Sequence, residues 1–216
     1  MALKFIDIYN DAASQAWSMF DSEIDDKSDF DKALVSSINK ALSDLWSSYP
    51  FPFRLKNHSF YTRPHSETYP VPCGQIMAVN DGFDIFVNGE RLTLNESASG
   101  STEGVPQQFC LKNNCICLNP IPDKRYKVDI NYLTLAYSLK SDGIPVFELK
   151  NEDDLIDIPN HLNTLFKNAL ITKTMLYSIS SKSDEIYSGY KEQFEKAFRL
   201  LVKYSKSVNT DKKVIL

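Results

Sequence analysis

The sequence predicts an α+β fold: an N-terminal helix pair and a C-terminal helix pair forming a helical bundle, with a central antiparallel β region of about five to seven strands. Three observations carry that prediction. Apolar residues recur at helical spacing at both ends of the 216-residue chain, they alternate with polar ones in the middle, and prolines stand where the two patterns meet. The expected divisions are 1–56 for the first helix pair, 57–145 for the β region, 146–207 for the second helix pair packing with the first, and 208–216 for a C-terminal arm.

The first helix is expected from about Phe5 to Phe20, with Ile6, Tyr9, Ala13, Ala16, Trp17 and Phe20 on one side. An acidic, turn-rich DSEIDDKSD follows. Ser28, three residues before Asp31, resembles a capping arrangement for the second helix, and Asp29 and Asp31 suit its positive end. In that helix Leu34, Ile38, Ala41, Leu42, Leu45, Trp46 and Tyr49 fall within an arc of roughly 140° at 100° per residue. Pro50 and Pro52 then stop it, because each removes a backbone donor and disfavours helix at the residue before it.

Beyond PFPFR the period changes. His58–Thr62 is aromatic and extended, and Gln75–Val79 and Asp84–Val87 are short strand candidates. Asn88-Gly89 is the dipeptide favoured in a type I′ turn, leading into Arg91–Leu94. Glu96–Gly104 has no periodicity and reads as an exposed loop. In the next hairpin a turn at Asn113-Asn114 sets Lys112 against Cys115, Leu111 against Ile116 and Cys110 against Cys117. The alternating run from Lys127 to Leu139 predicts the best-defined strand.

Helix returns after FELKNEDDLIDIP, where Asp157 and Pro159 make a start signature. Leu162, Leu165, Phe166, Ala169, Leu176 and Ile179 form a third stripe. Tyr187, Tyr190, Phe194, Ala197, Phe198, Leu201 and Tyr204 form a fourth. The chain closes on a polar spacer and an apolar tip, Val214-Ile215-Leu216. Such a tip can join another chain's sheet edge, enter a pocket, or fold back on its own subunit.

Composition narrows the function. A formal charge of -4 and a pI near 5.4 argue against a general phosphate-binding surface. No apolar run is long enough to span a bilayer, and Asp7 and Asp11 interrupt any signal-like stretch, so a cytosolic site of synthesis is expected. His58, His65 and His161 lack metal-like spacing, and no Gly-rich phosphate loop or GxSxG occurs. His161 with Asp154 and Asp157 could form an acid–base cluster, but acidic residues at a helix start more often complement its dipole. Cys73, Cys110, Cys115 and Cys117 fit core packing better than a zinc knuckle or a disulfide scaffold. Lys124, Arg125 and Lys127 beside Tyr126 read as a turn rather than a nucleic-acid platform. No catalytic, cofactor-binding or metal residue is expected, and no cofactor.

With its neighbours, the segment Trp46–Phe53 ("W..YPFPF") gains a second meaning. It leads to a β region opening on Tyr69–Gly74 ("Y.VP.G"), then to DLIDIPNHLNTLFKNALI and to EQFEKAFRLLVKYS. In this order the chain resembles the head-to-tail adaptor proteins of short-tailed bacteriophages, the tail tubular protein A type, and most those of crAss-like phages. The resemblance implies a structural subunit without a reaction, in a ring of about twelve copies between portal and tail nozzle. It implies that DNA passes through the lumen without specific binding, that no membrane takes part, and that the protein is made in the bacterial host cytoplasm and resides in the virion neck. Phe51, Phe53, Val214, Ile215 and Leu216 are the expected contact residues between subunits or rings. The alternative is a β-rich ligand- or glycan-binding module flanked by helices, which requires an exposed aromatic platform.

Overall fold

The computed structural model describes residues 2–20, 27–70, 76–77, 84–96, 102–113, 115–140, 145–178 and 184–207. Over these residues the fold is mixed α+β, with four helices and several antiparallel sheets. The chain divides into two units, Met1–Phe53 with Ala136–Leu216, and Arg54–Leu135.

The first unit carries α1 (Phe5–Phe20), α2 (Lys27–Ser47), α3 (Asn163–Ser178) and α4 (Asp184–Ser207). On α2 the stripe Leu34, Ile38, Ala41, Leu42, Leu45 and Trp46 is buried throughout, as its spacing predicts. It shares one apolar core with Ile8, Ala12 and Ala16 of α1, Phe166, Ala169, Leu170 and Met175 of α3, and Leu201 of α4. Two expectations need correction. The buried face of α1 is Phe5, Ile8, Ala12 and Ala16, not the face through Trp17, which is half exposed and meets Phe30 edge-on at 5.2 Å. Small alanines let α1 approach closely, whereas an indole on that face would hold it away. Helix α2 is also helical from Lys27, so Ser28 and Asp29 lie within its first turn rather than ahead of it. Asp31 instead accepts a hydrogen bond from the Tyr9 hydroxyl, tying α1 to α2.

Pro50 and Pro52 end the helical run, and a single 3₁₀ turn, Pro52–Arg54, hands the chain to the β unit. At that corner the Trp46 ring lies 5.5 Å from Phe53 and 6.2 Å from Tyr137.

Strands of the second unit are β1 (Leu55–Tyr61), β2 (Thr68–Pro70), β3 (Ile76–Met77), β4 (Asp84–Val87), β5 (Glu90–Arg91), β6 (Thr93–Leu94), β7 (Glu103–Gly104), β8 (Gln108–Lys112), β9 (Cys115–Asn119), β10 (Ile121–Pro122) and β11 (Lys127–Thr134). One sheet runs β1-β11-β4-β5, with β3 also on β11; a second runs β2-β9-β8-β6; β10 and β7 pair separately. Ile85, Val87, Phe109, Ile116, Leu118, Val128 and Ile130 form the core. Asn88 and Gly89 both take positive φ, 51° and 89°, as the type I′ turn requires. The β8–β9 register matches the sequence reading: Lys112 faces Cys115, Leu111 faces Ile116 and Cys110 faces Cys117.

Other parts of the β reading change. The alternating run to Leu139 is not one strand: β11 stops at Thr134. Ser138–Leu139 is β12, which joins β13 (Pro145–Val146) and β14 (Leu155–Ile156) in the helical unit. Two pairings, β6 with β8 and β7 with β10, are parallel. Fourteen short strands are present among the described residues, against the smaller number expected. Alternation records which face is buried but not where a strand leaves one sheet for another.

Candidate protein-interaction surface

Phe51 is fully buried and stacks on Phe53 with ring centroids 5.0 Å apart and 11° between planes. Its edge contact to Phe198 of α4 spans 6.3 Å, and Phe53 reaches Phe166 of α3 at 6.4 Å. The expectation of an intersubunit role for Phe51 is therefore corrected: proline fixes the corner so that the rings turn inward and lock α2 against α3 and α4. Phe53 is partly buried in the same cluster. Val214, Ile215, Leu216 and Cys73 lie outside the described residues.

The surface that remains apolar is on α4. Leu201 is buried and Tyr190, Phe194, Ala197 and Phe198 pack on the core, but Ile186, Leu200 and Tyr204 are 42%, 37% and 48% exposed. At 100° per residue these three fall within about 40° of one another, beside the buried stripe. Leu200 and Ala197 also wall a groove of about 400 Å³ whose far side is Leu165 and Ile171 of α3, with Asp11, Gln15 and Lys196 at its margins. Asp11 there is paired to Lys167 at 2.6 Å. Sequence periodicity placed Tyr187 and Tyr204 in the buried stripe; the structure leaves both exposed.

A larger recess of about 630 Å³ is lined by Asn39, Tyr137, Lys140, Glu148, Lys150 and Asp154, among others, and of these Asn39, Tyr137, Glu148, Lys150 and Asp154 are already engaged within the chain. Burial raises the Asp154 carboxyl, yet the Asn151 and Lys150 N–H groups, donating at 2.9 and 2.8 Å, outweigh this and hold it below its ordinary value. Lys150 pairs with Glu148 at 2.8 Å. The Tyr137 hydroxyl donates to Phe147 O, and burial with the nearby Glu148 charge pushes it up to about 12. Asp154 is thus a turn-former with its acceptors used, and His161 stands exposed in a separate 3₁₀ turn, Asn160–Leu162.

The basic cluster of the β unit is likewise internally occupied. Arg125 lies 4.1 Å over the Tyr61 ring, Lys124 lies 5.6 Å over Tyr126, and Lys127 pairs with Asp129 at 2.9 Å. Tyr61 is the aromatic residue of this unit that is largely exposed among the described residues. Cys110 and Cys117 are buried thiols, in no disulfide, facing each other across the hairpin, and Cys115 is half-buried. Burial first, then the Cys110 contact, pushes the Cys117 thiol up to about 11. Among the described residues no group of three or more His, Cys, Asp or Glu is arranged to hold a metal ion, and no helix is long and apolar enough to cross a membrane.

Sequence reading missed Arg54, which is buried, donates from Nε to Thr134 O at 3.2 Å, and is lowered to about 10 by burial. Its only signal was a charge directly after PFPF. No protein-family model matches this chain, and no curated protein sequence matches it.

Proposed function

We propose that this chain is a structural adaptor subunit of a tailed-phage neck, one copy in a ring of about twelve joining the portal to the tail around the DNA-ejection channel. The observation that supports it is the exposed apolar line Ile186–Leu200–Tyr204 on a helix whose other apolar stripe is already buried at home. A helix with two adjacent apolar faces is suited to packing on its own core and on a neighbour at once. The finer architecture, two helix pairs forming one bundle, belongs to the same reading and is supported by the core that all four helices share. The role needs no bond-making step and no cofactor. The acidic balance of the chain suits a lumen that DNA traverses without adhering.

In this reading α4 contacts the next copy, and Val214, Ile215 and Leu216 reach the portal or the next ring, with Phe53 at the rim of the corner. Electron microscopy of the chain mixed with its candidate portal protein tests it. A closed ring on the portal is expected, and truncation after Thr210 weakens it. Persistent failure to bind any portal sinks the proposal. A Leu200→Glu/Tyr204→Glu variant that still folds should lose neighbour contacts, since both side chains are outside the home core.

A further inference from the structure

β1 is the outer strand of its sheet: among the described residues its strand partner is β11 alone. The ladder fixes which backbone groups are free to face outward. The Thr62 N–H donates to Tyr126 O at 2.9 Å, one step beyond the pairing of Tyr61 with Lys127. Antiparallel ladders alternate, so the even-numbered residues turn their backbone groups toward β11. Leu55, Asn57, Ser59 and Tyr61 turn theirs away from it. The side chains of these four share one face. All four are exposed, with Leu55 at 48% and Tyr61 at 53% marking the two ends. Long edges are ordinarily guarded by proline, a bulge or several charges. Leu55–Tyr61 contains a single lysine and no proline.

We propose that β1 pairs antiparallel with β1 of a second copy about a twofold axis through His58. Only an extended strand can satisfy alternating donors and acceptors along such an edge, and this one is complementary to itself. In the proposed register Leu55 lies opposite the second copy's Tyr61, Asn57 opposite its Ser59, and His58 opposite its His58. Opposed residues then have the same parity, so outward N–H groups meet outward carbonyls. An axis through a peptide bond would set odd residues against even ones and waste them. On the exposed face an apolar side chain covers an aromatic ring at each end, and an amide meets a hydroxyl between, with no like charges opposed. Lys56 lies opposite Phe60. The contact is isologous, whereas copies in a ring repeat a heterologous one, so it stands apart from the ring proposed above and does not depend on it.

Sedimentation of the full chain over a range of concentrations tests the pairing, with Ser59→Pro as the key variant. That proline deletes an outward N–H and no backbone bond to β11. Of the side-chain contacts it removes the exposed bond from the Ser59 hydroxyl to Asp129, which Ser59→Ala removes alone as the control. The fold is kept while association weakens by at least about tenfold relative to that control. A His58→Cys variant should cross-link as a dimer with oxidised glutathione, because the axis sets that residue against itself at a closely spaced, non-hydrogen-bonded position. Lys56→Cys, facing a phenylalanine, should not exceed the wild-type background from native cysteines. A wild-type chain that stays monomeric, a Ser59→Pro protein that associates as well as Ser59→Ala, or a His58→Cys protein that cross-links no better than Lys56→Cys overturns the proposal.

Discussion

Asn39 of α2 pairs with Leu149 in both directions: its Nδ2 donates to Leu149 O at 3.0 Å and its Oδ1 accepts from Leu149 N–H at 2.7 Å. A side-chain amide here does what a neighbouring strand would do, satisfying a residue that is fully buried yet outside any sheet. Asn39→Ala is expected to leave both groups unpaired and cost about 1–3 kcal/mol in denaturant unfolding. Asn39→Asp keeps the acceptor and loses the donor, so the loss should be uneven, with the carboxylate now facing a carbonyl oxygen. Equal stability of wild type and Asn39→Ala would mean that water replaces the amide without penalty.

Phe51→Ala should destabilise the isolated chain by about 3–5 kcal/mol, because the ring is enclosed by Tyr49, Phe53 and Phe198. Thermal unfolding of the purified protein, with no partner present, is the measurement. A variant with unchanged stability but impaired assembly would restore the intersubunit role that its burial argues against.

Alkaline titration should expose the hairpin thiols. The folded Cys117 is raised from an ordinary 9.0 to about 11, so the stability tied to its neutral form is complete below pH 9 and is lost as pH rises toward 11. Stability measured across that window should fall in wild type, and Cys117→Ala should flatten part of the slope. Peptide mapping after brief alkylation of the native protein should find Cys115, half-buried, modified before Cys110 and Cys117.

Asp154 predicts the opposite end of the pH scale. Its folded carboxyl is held below 3.8, so its contribution is present above that value and is lost as pH falls through the lower, folded one. Asp154→Ala should cost about 1–3 kcal/mol at neutral pH through the Lys150 and Asn151 N–H groups it leaves bare. The gap between wild type and variant should narrow in acid. A gap independent of pH would show that the charge is irrelevant to the turn.

Local rules reached some of this architecture and not the rest. The α2 stripe was legible because six of its seven expected apolar positions share one buried helical face. The seventh, Tyr49, falls beyond the helix end at Ser47 and is only partly buried, and proline marked the stop. The β8–β9 register was legible because a two-residue turn dictates every opposed pair. The buried face of α1 was not, since two apolar stripes overlap there and only packing against α2 and α3 chooses between them. Nor was the parallel pairing of Thr93–Leu94 with Gln108–Phe109, which joins segments that no local pattern relates. Of the candidate surface, the α4 periodicity was visible, but which of its apolar residues the core leaves uncovered is decided by tertiary packing that no local pattern records. The β1 edge was missed because alternation describes a strand's faces and says nothing of its sides.

One further consequence rests on Trp46. Its ring touches Phe53, the last residue before the β unit, and Tyr137, two residues after that unit ends, so the chain departs and returns through a single doorway. An insertion whose two ends leave from one spot behaves as a cassette. The helical core could host a longer, shorter or unrelated module at that doorway, and a few-residue linker spliced there should let residues 1–53 and 136–216 fold as a protein of their own.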